Sequence, residues 1–323
     1  MKTREVLAMR TKSLLDKFIM KLDAKVLPGN TNYAGKIYHY TSLKSINSIL
    51  LEHEDKINLW ASRYDCLNDI SEGKVVIERY REACEELRQQ NLISDEMYEI
   101  FVRVSPSKNE TFIIWDGAVP RPVRCEFGTY ITSFSEGYDL LPMWNYYSKG
   151  NAYEGVNIGL SSENIVEIMK QNYPNGNVRV SVCKVIYKKE EQKELIKKLL
   201  LELYNKYENG YADSVRALIS MNLTEWQMIF KNECFEHEKE VRIIIKICDK
   251  YKDKIKVHYR SNLGYIIPYI ELKISKEAVK SVTLGPLHGN DEQKNVQAKV
   301  LHDMLTTHNY NVLERCSKIP VRY

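Results

Sequence analysis

Tyr38-His39-Tyr40-Thr41-Ser42 sits where the chain changes period. From Lys36 to Tyr40 the pattern is that of a short strand. From Ser42 onward Leu43, Ile46, Ile49 and Leu50 fall on one helix face, with Thr41 or Ser42 as N-cap. Two later polar clusters answer this opening unit: Tyr130-Ile131-Thr132-Ser133-Phe134-Ser135 and Glu236-His237-Glu238-Lys239-Glu240-Val241-Arg242. Imidazole and phenol groups on one strand, hydroxyls on a second and paired carboxylates on a third are what a site needs to hold a sugar-bearing nucleotide.

Strand patterns recur at Ile57–Ala61, Gly128–Phe134, Gly155–Leu160, Val178–Tyr187 and Asn311–Leu313. The most β-prone run is Val241–Lys246, for which Ile266–Leu272 and Ser281–Leu284 are the expected partners. Helical periods fall on residues 3–26, closed by the Pro28-Gly29-Asn30 turn, on 74–103, and on Leu141–Tyr147 as a short helix or turn. Three more fall on Glu190–Tyr207, 213–233 and Gln293–Thr306. Strands and helices interleave irregularly, unlike the steady alternation of a doubly wound sheet. The expectation is an α+β fold: a curved or split antiparallel sheet with inserted helices. Residues 1–30 read as an N-terminal helical extension. Residues 31–323 read as a single domain with helical insertions near 74–103 and 190–233, because no repeat or low-complexity linker divides them.

The 323 residues are 44% hydrophobic and 28% charged, a composition that buries a sizeable core. Lys and Arg (47) nearly balance Asp and Glu (43), and a net charge of +4 gives no general grip on nucleic acid or membrane. The seven cysteines are odd in number, scattered and without a Cys-x-x-Cys pair, so free thiols in a cytoplasmic protein are expected. No apolar run is long enough to span a bilayer, and the N-terminal stretch is amphipathic, so neither export nor membrane anchoring is expected.

The order of motifs resembles a large, mostly bacterial group, domain-of-unknown-function family 2971. The matching pieces are Tyr38-His39-Tyr40-Thr41, Leu67-Asn68-Asp69-Ile70-Ser71-Glu72, Ile131-Thr132-Ser133-Phe134-Ser135 and Met143-Trp144-Asn145-Tyr146-Tyr147, followed by Glu238-Lys239-Glu240-Val241-Arg242, Leu284-Gly285-Pro286 and Ile319-Pro320-Val321-Arg322. Ile70 replaces a common proline, and Phe235 stands where Trp often precedes the Glu-x-Glu. More distantly, that group is similar to the ADP-ribosyltransferase superfamily, whose split antiparallel sheet folds around NAD. The resemblance implies NAD as substrate, with His39 touching a ribose and the nicotinamide amide. Tyr40, Ser133, Ser135, Trp144 and Tyr146 would shape the nicotinamide pocket, with Arg242 beside them. Glu238 or Glu240 would orient the reactive ribose. It also implies a toxin or effector in bacterial stress response or phage defence, held by a partner or antitoxin protein and acting on an acceptor protein or nucleic acid.

The residues themselves leave alternatives open. His39 is a ligand-contacting imidazole or a satisfied strand histidine. Glu238 and Glu240, two apart, would share a strand face and repel unless a cation such as Lys231 or Arg242 intervenes, and the other reading is a solvated acidic edge. Glu236 shares that face but lies outside the motif. Trp144, Tyr146 and Tyr147 offer stacking surfaces or are core. Asn68-Asp69 with Glu72 reads best as an Asx turn and helix cap. No Gly-x-Ser-x-Gly surrounds Ser133 or Ser135, and His302 and His308 lack metal-ligand spacing, so neither a hydrolase nucleophile nor a metal site is expected. No Walker loop or Gly-x-Gly-x-x-Gly is present.

Two function classes follow. The first is NAD-dependent ADP-ribosyl transfer or NAD cleavage. The second is a non-catalytic nucleotide- or nucleic-acid-binding sensor. The first expects His39, Ser133 and Glu240 in one cleft, and expects Glu240→Gln to lower turnover with little effect on stability.

Overall fold

The computed structural model describes residues 14–26, 33–67, 73–106, 111–116, 119–124, 127–148, 154–172, 178–208, 210–262, 264–286 and 291–320. Of the expected N-terminal helix, 14–19 is helical (α1). The earlier part, the Pro28-Gly29-Asn30 turn, the Asn68–Glu72 stretch and the end of the Ile319–Arg322 motif lie outside the described residues.

Among the described residues a ten-stranded sheet carries the fold. Its strands are β1 (Lys36–Ser42), β2 (Lys56–Arg63), β5 (Phe127–Ser135), β6 (Gly155–Ser161), β7 (Val178–Lys184), β8 (Glu240–Cys248), β9 (Val257–Asn262), β10 (Tyr265–Ser275), β11 (Val279–Leu284) and β12 (Leu313–Cys316). All pairings are antiparallel except β11 with β12. The sheet is open and divides at β5. One edge of β5 pairs along its whole length with β8, which in turn pairs with β7. The other edge is shared, with β2 opposite Tyr130 and Ile131 and β1 opposite Ser135. From β1 one wing continues to β6, β11 and β12. From β2 the other continues to β10 and β9.

The expected partners of β8 are thus corrected. β10 pairs with β2 and β9, and β11 with β6 and β12, because β8 has both edges taken by β5 and β7. A separate hairpin of β3 (Thr111–Asp116) and β4 (Val119–Arg124) was not read from the sequence, since Pro120 and Pro122 mask its alternation.

Helices α2 (Lys74–Gln89), α3 (Asp95–Val102), α6 (Lys189–Asn205) and α7 (Ala212–Trp226) gather against one sheet face, where Ile131 and Ile244 join their core. On α6, Ile196, Leu199, Leu200 and Leu203 repeat at i, i+3, i+4, i+7 and are all buried. Each such side chain contributes roughly 2 kcal/mol. Asn91, at φ 54°, ends α2, and Ser94 caps α3 by accepting from the Met97 amide. The opposite face carries Ile37, Phe134, Val156, Ile158, Val241 and Ile243. It packs against the turns of 43–51, α5 (Ser162–Asn172) and α8 (Asp291–Thr307). The segment expected as a helix after Ser42 is a 3-10 turn, Leu43–Ser45, running into a π turn, Asn47–Leu51. Helix α4 (Leu141–Tyr147) starts with Pro142 and lies on β1 through Met143 and Trp144.

Cys66, Cys84, Cys234 and Cys316 are free thiols. Cys248 is disulfide-bonded, against the expectation that every thiol is free. The β5–β8 ladder brings Cys248 opposite Phe127, a juxtaposition that sequence spacing does not reveal. Cys125 lies outside the described residues.

Candidate functional site

Strand pairing sorts the expected site residues by face. Tyr38 pairs with Ser135, Ser135 with Glu240, and Ser133 with Arg242, so these five side chains stand on the face toward α2, α3, α6 and α7. His39 is one residue out of phase. Its ring lies on the other face, 5.6 Å from that of Phe134. The expectation of one cleft shared by His39, Ser133 and Glu240 is therefore corrected: the period of two puts the imidazole through the sheet from the carboxylates. His39 Nδ1 is buried without a hydrogen-bond partner. Burial lowers its pKa to about 4, with the Ser133 backbone opposing weakly. The ring is neutral at pH 7.

Glu240 is the hub of a buried ionic network. Arg242 Nε donates to its Oε1 at 2.8 Å and Nη2 to Oε2 at 3.0 Å, while Lys231 Nζ donates to Oε2 at 3.1 Å and to Glu238 Oε2 at 2.8 Å. Arg242 Nη1 also donates to the Met228 carbonyl, and the Glu240 amide donates to Tyr187 Oη at 2.9 Å. Burial alone pushes the Glu240 carboxyl up. Arg242 and then Lys231, helped by Ser133, overcome this and hold it down at about 2. The Lys231 pKa is raised: burial opposes its charge, and Glu240 and Glu238 outweigh burial.

Glu238 and Glu240 do not sit on one strand. Glu238 ends a 3-10 turn (Glu233–Glu238), and Lys239 follows in the left-handed region at φ 46°. That conformation costs a non-glycine residue roughly 1–2 kcal/mol. It lets a turn carboxylate and a strand carboxylate reach the same ammonium. Repulsion between them is answered by Lys231, one of the cations the spacing suggested.

Several expected ligand contacts are consumed by structure. Ser135 is fully buried, donates to the Glu238 carbonyl at 2.7 Å and accepts from the Gly137 amide at 3.2 Å. Tyr40 Oη donates to the Gly137 carbonyl at 2.7 Å and accepts from the Leu140 amide at 3.0 Å. Trp144 has no exposed surface, stands edge-on to Tyr40, and donates from Nε1 to Asp139 at 2.8 Å. As a pocket wall it is corrected: Pro142 starts α4 so that the indole faces inward. Tyr146 points outward, half exposed, with its hydroxyl 2.9 Å from His237 Nε2.

A cleft of about 730 Å³ opens beside this network, where Glu240 borders it with Tyr187, Lys184, Glu236, His237 and Lys239. Glu238 is partly exposed. Sequence reading passed over Tyr187 and a second buried cluster on β8, where Lys246 meets Glu225 at 3.0 Å and Arg179 meets it at 3.3 Å. A signal was present. Glu240, Arg242 and Lys246 interrupt an apolar run at even spacing, and charges inside a strand that is buried throughout require partners.

Among the described residues no cluster of His, Cys, Asp or Glu could hold a metal ion, and no helix is long and apolar enough to cross a membrane. No curated protein and no solved structure matches the chain. The stretch from α4 through Ile243 contains Trp144, Tyr146, Glu238, Glu240 and Arg242. Residues 143–243 match the model of the family described as "Protein of unknown function (DUF2971)", the family that the motifs resemble.

Proposed function

We propose that the protein uses NAD as substrate, cleaving the bond between nicotinamide and ribose for ADP-ribosyl transfer or hydrolysis, in an ADP-ribosyltransferase-like arrangement of the sheet. The observation that carries this reading is the order β8–β5–β1: the three motifs come from distant parts of the chain, and the turn that holds Glu238 leads into β8, next to the hydroxyl-bearing β5 and the aromatic-bearing β1. A cationic sugar developing as the bond breaks calls for a fixed negative charge. Glu238 takes that role in this reading. It makes one ion pair, with Lys231, and is partly exposed, whereas Glu240 is engaged by Arg242, Lys231 and Ser133 and acts as the residue that positions both cations. His39 has no direct part.

The saturation of Glu240 favours a second reading, a sensor that binds a nucleotide in the cleft bordered by Glu240 and Tyr187 without turnover. Calorimetric titration with NAD, together with an assay of nicotinamide release by wild type and Glu238→Gln, separates the two. Release that falls at least about a hundredfold in Glu238→Gln, with NAD affinity kept, supports the enzyme. Binding without release supports the sensor. Neither binding nor release refutes both.

A further inference from the structure

A row of residues crosses the wing of the sheet beneath α4. Tyr40 on β1 pairs with Asn157 on β6, Asn157 with Thr283 on β11, and Thr283 with Arg315 on β12, so all four side chains share one face. Asn157 and Thr283 have no exposed surface, and Ser148, at the end of α4, is almost as deeply buried. Asn157 Nδ2 and Oδ1, Thr283 Oγ1 and Ser148 Oγ have no hydrogen-bond partner. The Tyr40 hydroxyl, already engaged by Gly137 and Leu140, lies close enough to the Asn157 amide for that amide to counter the rise in pKa that burial causes, but not within hydrogen-bond distance. Buried polar atoms left unpaired are costly, and a cluster of them in one place marks a site for a polar guest. Gly155 keeps the space open for Ser148: a β-carbon there would collide with Ser148 Oγ and come within 3.2 Å of Trp144.

The guest's chemistry follows from the donors. Asn157 presents an unpaired acceptor and an unpaired N–H₂ side by side, the complement of a carboxamide or lactam edge. At the other end of the row Arg315 is partly exposed, with its guanidinium 4.6 Å from the centre of the Tyr138 ring and no ion pair to a described carboxylate. Two strand spacings separate Asn157 from Arg315, roughly 10 Å. We infer that this row is a binding site for a small molecule carrying a planar amide at one end and an anionic group at the other, the class to which nicotinamide mononucleotide belongs. This rests on the NAD reading for the choice of nicotinamide. It extends that reading by assigning the amide to Asn157, with Thr283 and Ser148 beside it, and the phosphate to Arg315. Ser135 and Gly137 join Tyr40 in this row to the Glu238 turn through buried hydrogen bonds.

The test is titration of the full chain with nicotinamide mononucleotide, and separately with NAD, using wild type, Asn157→Leu, Thr283→Val and Arg315→Ala. Thermal unfolding of each variant is measured alongside. The expected result is saturable binding of the mononucleotide by wild type. It should weaken at least about tenfold in Asn157→Leu and in Arg315→Ala, with salt dependence reduced in the latter. Thr283→Val serves if Asn157→Leu does not fold. Mononucleotide binding unchanged in both Asn157→Leu and Thr283→Val, or none by folded wild type, overturns the site and leaves internal water as the guest. NAD binding that persists unaltered in these variants overturns the site while sparing the cleft reading. Mononucleotide binding that Asn157→Leu abolishes, without any NAD cleavage by wild type, upholds the site and removes the enzymatic reading.

Discussion

Replacing Glu240 by Gln removes one negative charge from between two buried cations. The side chain is 5% exposed, and Arg242 and Lys231 are buried with it. The gap between its ordinary value of 4.5 and its folded value of about 2 corresponds to roughly 3 kcal/mol at about 1.4 kcal/mol per pH unit. Breaking a buried pair by removing one partner costs about 3–5 kcal/mol, because the other charge stays in low dielectric. The two routes agree near 3 kcal/mol. For a chain of this size that lowers the melting temperature by roughly 4 °C. This reverses the sequence-based expectation that Gln would relieve repulsion with Glu238, since Lys231 already stands between the carboxylates. The pH dependence has a definite sign. A carboxyl with a depressed folded pKa stabilises above its unfolded value and loses that contribution as the pH falls through the folded one. The gap between wild type and Glu240→Gln should be constant from pH 7 to about 5, then close between about 4.5 and 2. Urea unfolding monitored by tryptophan fluorescence at pH 7, 5 and 3 measures it. Equal stability at pH 7, or a gap indifferent to pH, would refute the network as a source of stability. Glu238→Gln is the control. Lys231 keeps its bond to Glu240, so the loss should stay near 1 kcal/mol or less.

Three other outcomes are expected. Glu225→Gln leaves Lys246 and Arg179 without their shared carboxylate, which those two cations hold below its ordinary pKa against the upward push of burial; urea unfolding should show a loss of about 3 kcal/mol. The His39 ring, with a pKa near 4, should show no titration by NMR between pH 8 and 5. A midpoint near 6.5 would mean a solvated ring. Gly155→Ala drives a β-carbon into Ser148 and against Trp144, and calorimetry should show destabilisation by about 1–3 kcal/mol, which Ser148→Gly in the same chain should relieve.

The pieces of this fold were legible where one element decides its own conformation. The strand at Lys36, the aliphatic ladder of α6 and the proline-led α4 each follow from local period or capping. Pairing partners were not legible. The choice of β5 and β7 as neighbours of β8 depends on which edges remain free after the whole sheet assembles. The carboxylates of the site were read correctly as needing a cation, and Lys231 and Arg242 were both named from spacing. What failed was phase. His39 and Tyr40 are adjacent in sequence and on opposite sides of a sheet, and only the register with Ser135 tells which one faces Glu240. Asn157 offered no signal, because an amide in an alternating strand looks like an exposed residue until β1 and β11 close over both its edges.

The pairing of β2 with β10 bears on how the chain is made. Ile57, Leu59 and Ala61 emerge early, yet the strand that covers them follows about 200 residues later. At ribosomal rates that is roughly 10–40 s during which an apolar strand waits without its neighbour. Non-local pairing of this kind also slows refolding. Yield on expression should therefore depend on temperature and on holding chaperones more than the stability of the finished sheet would suggest, and the aggregates that form should be seeded through β2.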